Sequence, residues 1–318
     1  MKIAAWGTAV LGTLLLVFLG ACGIVNLAMG SARWPMPPPA PEVPGAAFRV
    51  AVLGDVQKGL GNLANVLGAV AEAKAGLILQ TGDLVSSNDE GHYRLVSAVF
   101  RRSGLRAPMA VAPGNHDIKG DPSRFTRWVG PLESSFRRGQ ISFIVVNNAF
   151  GNPPDPARLE TLVARAPVGD AVVLAMHVPP VDEKGGVRPG FEPFAEWLEK
   201  SRVRYLLSGH VHGCVRRKIG STALIANGVG GDYESWQLGQ KVCLTVLDVD
   251  GASITDRGVE LAPEHGIVAN FEHLAVGHVG ESWRARPWLG WTVAAALAAL
   301  VGVAAAFLRR RPGISPNR

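Results

Sequence analysis

The stretch "PGNHDI", Pro113–Ile118, follows the apolar run Met109–Ala112 and packs a helix breaker, a glycine, an amide, an imidazole and a carboxylate into six positions. Such residues are a poor way to end a core strand unless they serve a site at its end. Four other apolar runs end the same way. Phe48–Gly54 leads into Asp55-Val56-Gln57 and Leu77–Thr81 into Gly82-Asp83. Ala171–Met176 leads into His177-Val178-Pro179-Pro180, and Tyr205–Leu207 into Gly209-His210-Val211-His212. Five strands thus each deliver an oxygen or imidazole donor at the carboxyl edge, where open α/β sheets place their sites.

The segments between these strands read as helices: Leu60–Lys74, His92–Arg102, Pro156–Ala166 and Phe194–Lys200, with a further strand at Ile141–Asn147. The strands are continuously apolar rather than alternating, as expected where helices cover the sheet. After Leu207 the rhythm changes. Cys214–Ile219, Ala223–Ala226, Val242–Val249 and Ser253–Asp256 read as strands joined by glycine-containing turns, and predict an antiparallel group that closes a second sheet. The fold class expected is α/β, two sheets with helices on both outer faces.

The donors at the strand ends suit a pair of divalent metal ions. Carboxylates can bridge two cations, while imidazole and amide oxygen complete each shell without excess negative charge. Manganese, iron or zinc accept such mixed nitrogen and oxygen donors. No thiolate takes part, so a structural zinc site is a poor match. Two ions about 3.5–4 Å apart hold a hydroxide and clamp a phosphoryl group for in-line attack.

Taken together and in order, these motifs resemble the calcineurin-like metallophosphoesterases, whose pattern is Asp-x-His, Gly-Asp, Gly-Asn-His-Asp/Glu, a later His, and Gly-His-x-His. The resemblance covers roughly Phe48 to Leu261. It implies a four-layer αββα sandwich, two mixed sheets flanked by helices. It also implies a metal-dependent phosphoesterase acting on a mono- or diester by attack of a metal-bridging hydroxide. The first metal would be held by Asp55, Gln57, Asp83 and His212, and the second by Asp83, Asn115, His177 and His210, with Asp83 bridging. His116 would donate a proton to the leaving oxygen, and Asp117 would orient His116. Gln57 departs from the pattern, which has histidine there. A neutral oxygen in place of nitrogen favours a harder ion, and a similar Asp-x-Gln occurs in the manganese-dependent ADP-ribose/CDP-alcohol diphosphatase branch. Two alternatives therefore stand beside ester hydrolysis: a nucleotide-diphosphate-type pyrophosphatase, and a membrane-tethered binding protein without turnover.

The chain has 318 residues, and its two ends differ from its middle. No charged side chain occurs from Ile3 to Gly30 or from Trp288 to Leu308, and each run is long enough to cross a bilayer as a helix, which takes about 20 residues. Residues 1–32 read as a signal peptide or N-terminal anchor, with Leu19-Gly20-Ala21-Cys22 also resembling a lipobox. Residues 33–45 are a proline-rich linker, 46–261 the folded domain, 262–286 a connector, 287–308 a transmembrane helix and 309–318 a basic tail. Arg309-Arg310-Arg311 place that tail in the cytoplasm and the domain on the extracytoplasmic side, periplasmic in a bacterium. The partners expected are a membrane and a phosphorylated small molecule or lipid head group.

The net charge of +6 comes with no basic stripe interleaved with aromatics, so charge does not point to nucleic acid. Cys22, Cys214 and Cys243 match no zinc spacing. Cys214 and Cys243 lie in predicted strands and either pair or remain free thiols. Four histidines, His92, His265, His273 and His278, fall outside the motifs. Asp89-Glu90 and Asp182-Glu183 read as solvated loop charges, and Asp232 and Tyr233 as turn residues able to approach the site.

Overall fold

The structure, a computed structural model of the whole chain, describes residues 47–182, 184–227, 242–262, 275–276 and 279–286, with isolated positions between 12 and 20 and between 288 and 302. The chain divides into two units, one of Gly30–His273 and one of Met1–Met29 and Leu274–Arg318.

The larger unit holds two mixed sheets. The first has the order β11 (Ser253–Leu261), β10 (Val242–Asp250), β1 (Phe48–Leu53), β2 (Leu77–Gln80), β3 (Met109–Val111). Here β1, β2 and β3 are parallel, while β10 runs antiparallel to both β1 and β11. The second sheet has the order β4 (Ser134–Arg138), β5 (Ile141–Val145), β6 (Ala171–Ala175), β7 (Val203–Ser208), β9 (Thr222–Asn227), β8 (Cys214–Ile219). Its centre, β5-β6-β7-β9, is parallel, and antiparallel strands β4 and β8 close its edges.

The late strands thus correct the expectation of one antiparallel group. Only β8 and β9 join the second sheet, and β9 lies parallel to β7; β10 and β11 form a hairpin that completes the first. Local sequence marks these segments as strands, but which sheet receives them is decided by non-local pairing. Strand β4 and the short helices α3 (Asn115–Ile118) and α4 (Pro122–Trp128) carry too weak a pattern to be anticipated.

Continuous apolar strands are explained by burial on both faces. Along β6, Val173 and Ala175 face the core between the sheets, with Val50, Val52, Leu79, Phe143 and Leu207. Val172 and Leu174 face outward onto Leu159 and Val163 of α5 (Pro156–Ala164) and Phe194 and Leu198 of α6 (Glu192–Lys200). On the first sheet, α1 (Leu60–Glu72) packs against β10 and against α2 (Glu90–Ser103). Asp89 is no free loop charge: its carboxylate accepts from the His92 backbone N–H at 2.8 Å and caps α2, a contact worth about 1 kcal/mol.

Polar contacts also join the sheets. Asn227 on β9 donates to Val52 O at 2.9 Å and accepts from Thr245 Oγ1 at 3.0 Å. Tyr205 on β7 donates to Asp256 on β11, and Arg216 on β8 pairs with the same carboxylate. Cys214 at the start of β8 forms a disulfide with Cys243 on β10, with Cα atoms 6.3 Å apart. The open question about these thiols therefore ends in a cross-link between the two sheets.

In the smaller unit, α7 (Val279–Ala285) begins inside the stretch expected to be connector, and Arg284 Nη1 donates to Val276 O at 3.0 Å. No helix among the described residues is long and apolar enough to cross a membrane. The expected segments 1–32 and 287–308 are described only at isolated positions. The linker 33–45, Cys22, the tail 309–318, Asp232 and Tyr233, and His265, His273 and His278 lie outside the described residues.

The sequence separation of 29 between the cysteines gives the cross-link a defined entropic effect. A Cys214→Ser/Cys243→Ser double variant is expected to lose about 3–4 kcal/mol and to melt roughly 6–16 °C lower. Calorimetry of oxidised wild type and variant checks this, and equal melting temperatures would mean that the two sheets gain nothing from the bond.

Candidate metal centre

The carboxyl ends of β1, β2, β3, β6 and β7 converge, and the loops beyond them interlock through backbone hydrogen bonds. Asp55 N–H donates to Gly82 O at 2.9 Å, Gln57 N–H to Asp83 O at 3.1 Å, and Gly209 N–H to His177 O at 2.9 Å. This stitching forces unusual backbone conformations. The described non-glycine residues with positive φ are Asp55 (49°), Gln57 (44°), Lys74 (52°), Asp83 (54°), His210 (69°) and His212 (46°). All but Lys74 belong to the strand-end motifs. Left-handed backbone at non-glycine residues costs of order 1 kcal/mol or more each, and it clusters where a site demands it.

Two glycines make the close approach possible. A β-carbon on Gly114 would lie 2.1 Å from Asp83 N, inside the neighbouring loop. Gly82, at φ +103°, would place one 2.3 Å from His177 Nδ1. The recurrent Gly-Asp and Gly-Asn pairs thus reflect loops packed backbone to backbone.

The structure brings the seven sequence-derived candidate ligands into one connected group. His212 Nε2 lies 3.4 Å from Asp55 Oδ1, and Gln57 Nε2 lies 3.1 Å from Asp83 Oδ2 and 3.3 Å from His212 Nε2. His177 Nε2 lies 3.5 Å from Asp83 Oδ2, 3.1 Å from Asn115 Oδ1 and 3.2 Å from His210 Nδ1. One donor atom each from Asp55, Asp83 and His212 lies within 4.8 Å of the others. Asp55, Asp83 and His177 are buried, and His210 and His212 are partly so.

The chemistry of this donor set fits cations. His177 Nδ1 contacts Thr81 O at 2.9 Å, and since a carbonyl only accepts, Nδ1 carries the proton. A ring carrying that one proton presents an Nε2 lone pair to Asn115 Oδ1, itself an acceptor. Acceptors that face each other at hydrogen-bond distance repel unless a positive charge lies between them. Burial pushes the Asp55 carboxyl up to about 6, opposed chiefly by its hydrogen bond with His212. Burial likewise takes His210 down to about 4, with His177 adding to the effect. The pocket disfavours bare charge, and a divalent cation compensates buried carboxylates as a proton would. The Gln57 amide stands at the ligand position; its NH₂ donates to Asp83, and half a turn of the amide presents Oε1 in its place.

His116 lies beside the group, with Nε2 4.0 Å from Asp83 Oδ2 and the side chain partly exposed. The expected orienting role of Asp117 is corrected here. Its oxygens accept from Val85 N–H at 3.1 Å and Gly114 N–H at 2.8 Å, so it braces the loops rather than the imidazole. Burial and then the Asp83 charge hold the Asp117 carboxyl well above its ordinary range, against the pull of those amides. His116 is oriented instead by Ser86 O, which accepts from Nδ1 at 2.7 Å.

Sequence reading passed over His92 and Asn148. His92 is buried; its Nε2 donates to Gln57 O at 3.0 Å, and Nδ1 accepts from Ser86 Oγ at 3.2 Å. It thereby links the Gln57 turn to the residue that orients His116. The available signal was its place on the apolar face of α2, in step with Leu95, Val96 and Val99. Asn148 is buried, accepts from His177 N–H at 2.9 Å and Val178 N–H at 3.0 Å, and donates to Val178 O at 2.7 Å.

The family model for calcineurin-like phosphoesterases matches residues 48–214. Among solved structures, the purple acid phosphatase PPD1 from yellow lupin (Lupinus luteus) seeds superposes with a TM-score of 0.53 at 14% identity, covering 69% of this chain and 52% of that one. A putative 5'-nucleotidase from Staphylococcus aureus in complex with alpha-ketoglutarate gives 0.52 at 16% identity, covering 75% and 59%. GAP50, the anchor in the inner membrane complex of Plasmodium, gives 0.50 at 15% identity, covering 72% and 94%. At such identities the likeness is one of fold, and the chain spans about half the length of the lupin phosphatase. No curated protein matches it in sequence.

If close approach is what Gly82 supplies, Gly82→Ala should destabilise far more than Gly104→Ala. Gly104 is also left-handed, at φ +70°, but a β-carbon there meets nothing within 4 Å. Denaturant unfolding should show a loss of about 1 kcal/mol for Gly104→Ala and of at least twice that for Gly82→Ala. Equal losses would remove packing against His177 as the reason for the glycine.

Proposed function

The chain belongs to the calcineurin-like phosphoesterases, hydrolases of phosphate esters, and we propose that it cleaves a phosphate mono- or diester at the Asp55–His212 cluster while tethered to a membrane. The observation that carries this reading is the meeting of Asp55, Gln57, Asp83, Asn115, His177, His210 and His212 around Asp83 and His177. Asp55, Gln57, Asp83 and His212 would hold one divalent cation, and Asp83, Asn115, His177 and His210 a second. Manganese or iron suits the oxygen-rich first set. When bound, such ions supply Lewis-acid activation of water and of the phosphoryl oxygens.

The protein's own groups do the rest. The Thr81 carbonyl fixes the His177 tautomer, and the His92–Ser86 chain sets the His116 ring. Water adds to phosphorus in line with the departing oxygen, and the P–O bond to the organic group breaks. The leaving oxygen takes a proton from His116 Nε2, whose ring is held by Ser86 O and faces Asp83, and the proton shed by the attacking water returns the imidazole to its starting state.

Extracytoplasmic placement is part of the proposal. The Cys214–Cys243 disulfide supports it, because such bonds persist in oxidising compartments. The uncharged run before Arg309-Arg310-Arg311 supports the tether. Gln57 at the first ligand position favours a second reading, cleavage of a phosphoanhydride, which the same assay addresses.

The test uses the full chain in detergent, stripped by chelator and reloaded with manganese, on bis(p-nitrophenyl) phosphate and a dinucleoside pyrophosphate. Asp83→Asn should abolish metal-dependent turnover. His116→Ala should lower it roughly 10²–10⁴-fold while elemental analysis finds the wild-type metal content. Full turnover by the Asp83 variant would contradict the assignment, and anhydride cleavage faster than ester cleavage would favour the second reading.

A further inference from the structure

Beside the ligand group opens a cleft of about 530 Å³, within the roughly 300–1,000 Å³ of small-molecule sites. Asn115 and His210 line it, and two loops form its walls: the turn after β5 and the segment that follows His177. Phe150 stands on one wall and Arg188 on the other.

Phe150 is 62% exposed and the one exposed aromatic among the described residues 47–262. Its turn is closed by Gly151 N–H to Asn148 O at 2.8 Å. Through Asn148 that turn is bonded to the backbone of His177 and Val178. The backbone that carries Phe150 is therefore tied to the ligand group, and most of the ring is open to solvent.

The Arg188 backbone N–H donates to Pro180 O at 2.8 Å and its Nε to Val181 O at 3.1 Å, beside the Val181–Val187 bridge. Among the described residues no carboxylate pairs with its guanidinium, although Asp182 lines the same cleft. Arg188 lines the same cleft as Asn115 and His210. A guanidinium that keeps its two terminal nitrogens beside a phosphoryl site, with no carboxylate partner among the described residues, is suited to anionic oxygens. A flat apolar ring nearby is suited to a planar partner.

We propose that this cleft is the subsite for the organic part of the substrate, selecting phosphate esters whose alcohol is or carries a planar aromatic ring, nucleosides above all, with Phe150 stacking on the ring and Arg188 gripping phosphoryl oxygens. The proposal rests on the phosphoesterase reading, which places the phosphoryl group against Asn115 and His210. A small polyol phosphate would fill the phosphoryl position yet leave Phe150 in water. Asp182 at the rim is an acceptor for sugar hydroxyls.

The test compares kcat and KM of the manganese-loaded full chain on adenosine 5'-monophosphate, phenyl phosphate and glycerol 1-phosphate. Wild type should favour the two aromatic esters. Phe150→Ala should raise KM for adenosine 5'-monophosphate roughly tenfold and leave glycerol phosphate within about twofold, with Phe150→Trp restoring the preference. Arg188→Gln should lower kcat/KM on all three esters by a similar factor. Phe150 is exposed, so Phe150→Ala should melt with wild type; Arg188 is half-buried and its Nε holds Val181 O, so Arg188→Gln is assayed below its own melting temperature. Unchanged selectivity in Phe150→Ala, or a wild type indifferent to the aromatic ring, overturns the subsite and leaves the phosphoesterase reading intact. If metal-loaded wild type turns over none of the esters, that reading fails. Calorimetric binding of adenosine 5'-monophosphate, weakened or not by Phe150→Ala, then decides the cleft by itself.

Discussion

Two carboxylates, Asp55 and Asp83, are buried against imidazoles, and among the described residues their ion-pair partners are histidines alone. Everything else in the domain answers to that constraint. A buried carboxylate without a cation costs several kcal/mol, and neutral histidines offer lone pairs as readily as protons. The arrangement is therefore poised for positive charge from outside the chain. A structural salt-bridge network would have placed lysine or arginine there.

The fold keeps these groups close at the expense of backbone strain. Five site residues adopt left-handed backbone, and they stay there because neighbouring loops hold them from several sides at once. Asp55 N–H is fixed by Gly82, Gln57 N–H by Asp83, and the His210 amide by the Asp55 carboxylate at 3.0 Å. The sheets beneath are rigid, with apolar packing on both faces. The disulfide joins β8 to β10 directly after the loop that carries His210 and His212, so the loop supplying two imidazoles is tied to the opposite sheet.

Much of this was legible in sequence, for a physical reason. Apolar strands that end in Asp, Asn or His announce themselves because the period and the interruption are both local. The meeting of the motifs follows from parallel strands sharing one edge. Less was legible where a residue acts through the backbone. Asp117 reads as a partner of His116 by adjacency, yet its oxygens face the amides of Val85 and Gly114. His92 and Asn148 bond to main-chain groups far away in sequence, and no spacing rule marks them. Strand β4, "SSFRR", is a half-buried edge without an apolar run. The division of β8–β11 between two sheets depends on pairing that no single segment encodes.

The buried carboxylates and imidazoles are proposed to enclose two neighbouring cations. Anomalous diffraction from crystals of the full chain loaded with manganese tests this most directly. Two peaks about 3.5–4 Å apart are expected, one bounded by Asp55, Gln57 and His212, the other by Asn115, His177 and His210, with Asp83 between them. A map with no peak at this cluster, or with manganese bound only elsewhere on the domain, would contradict the proposal.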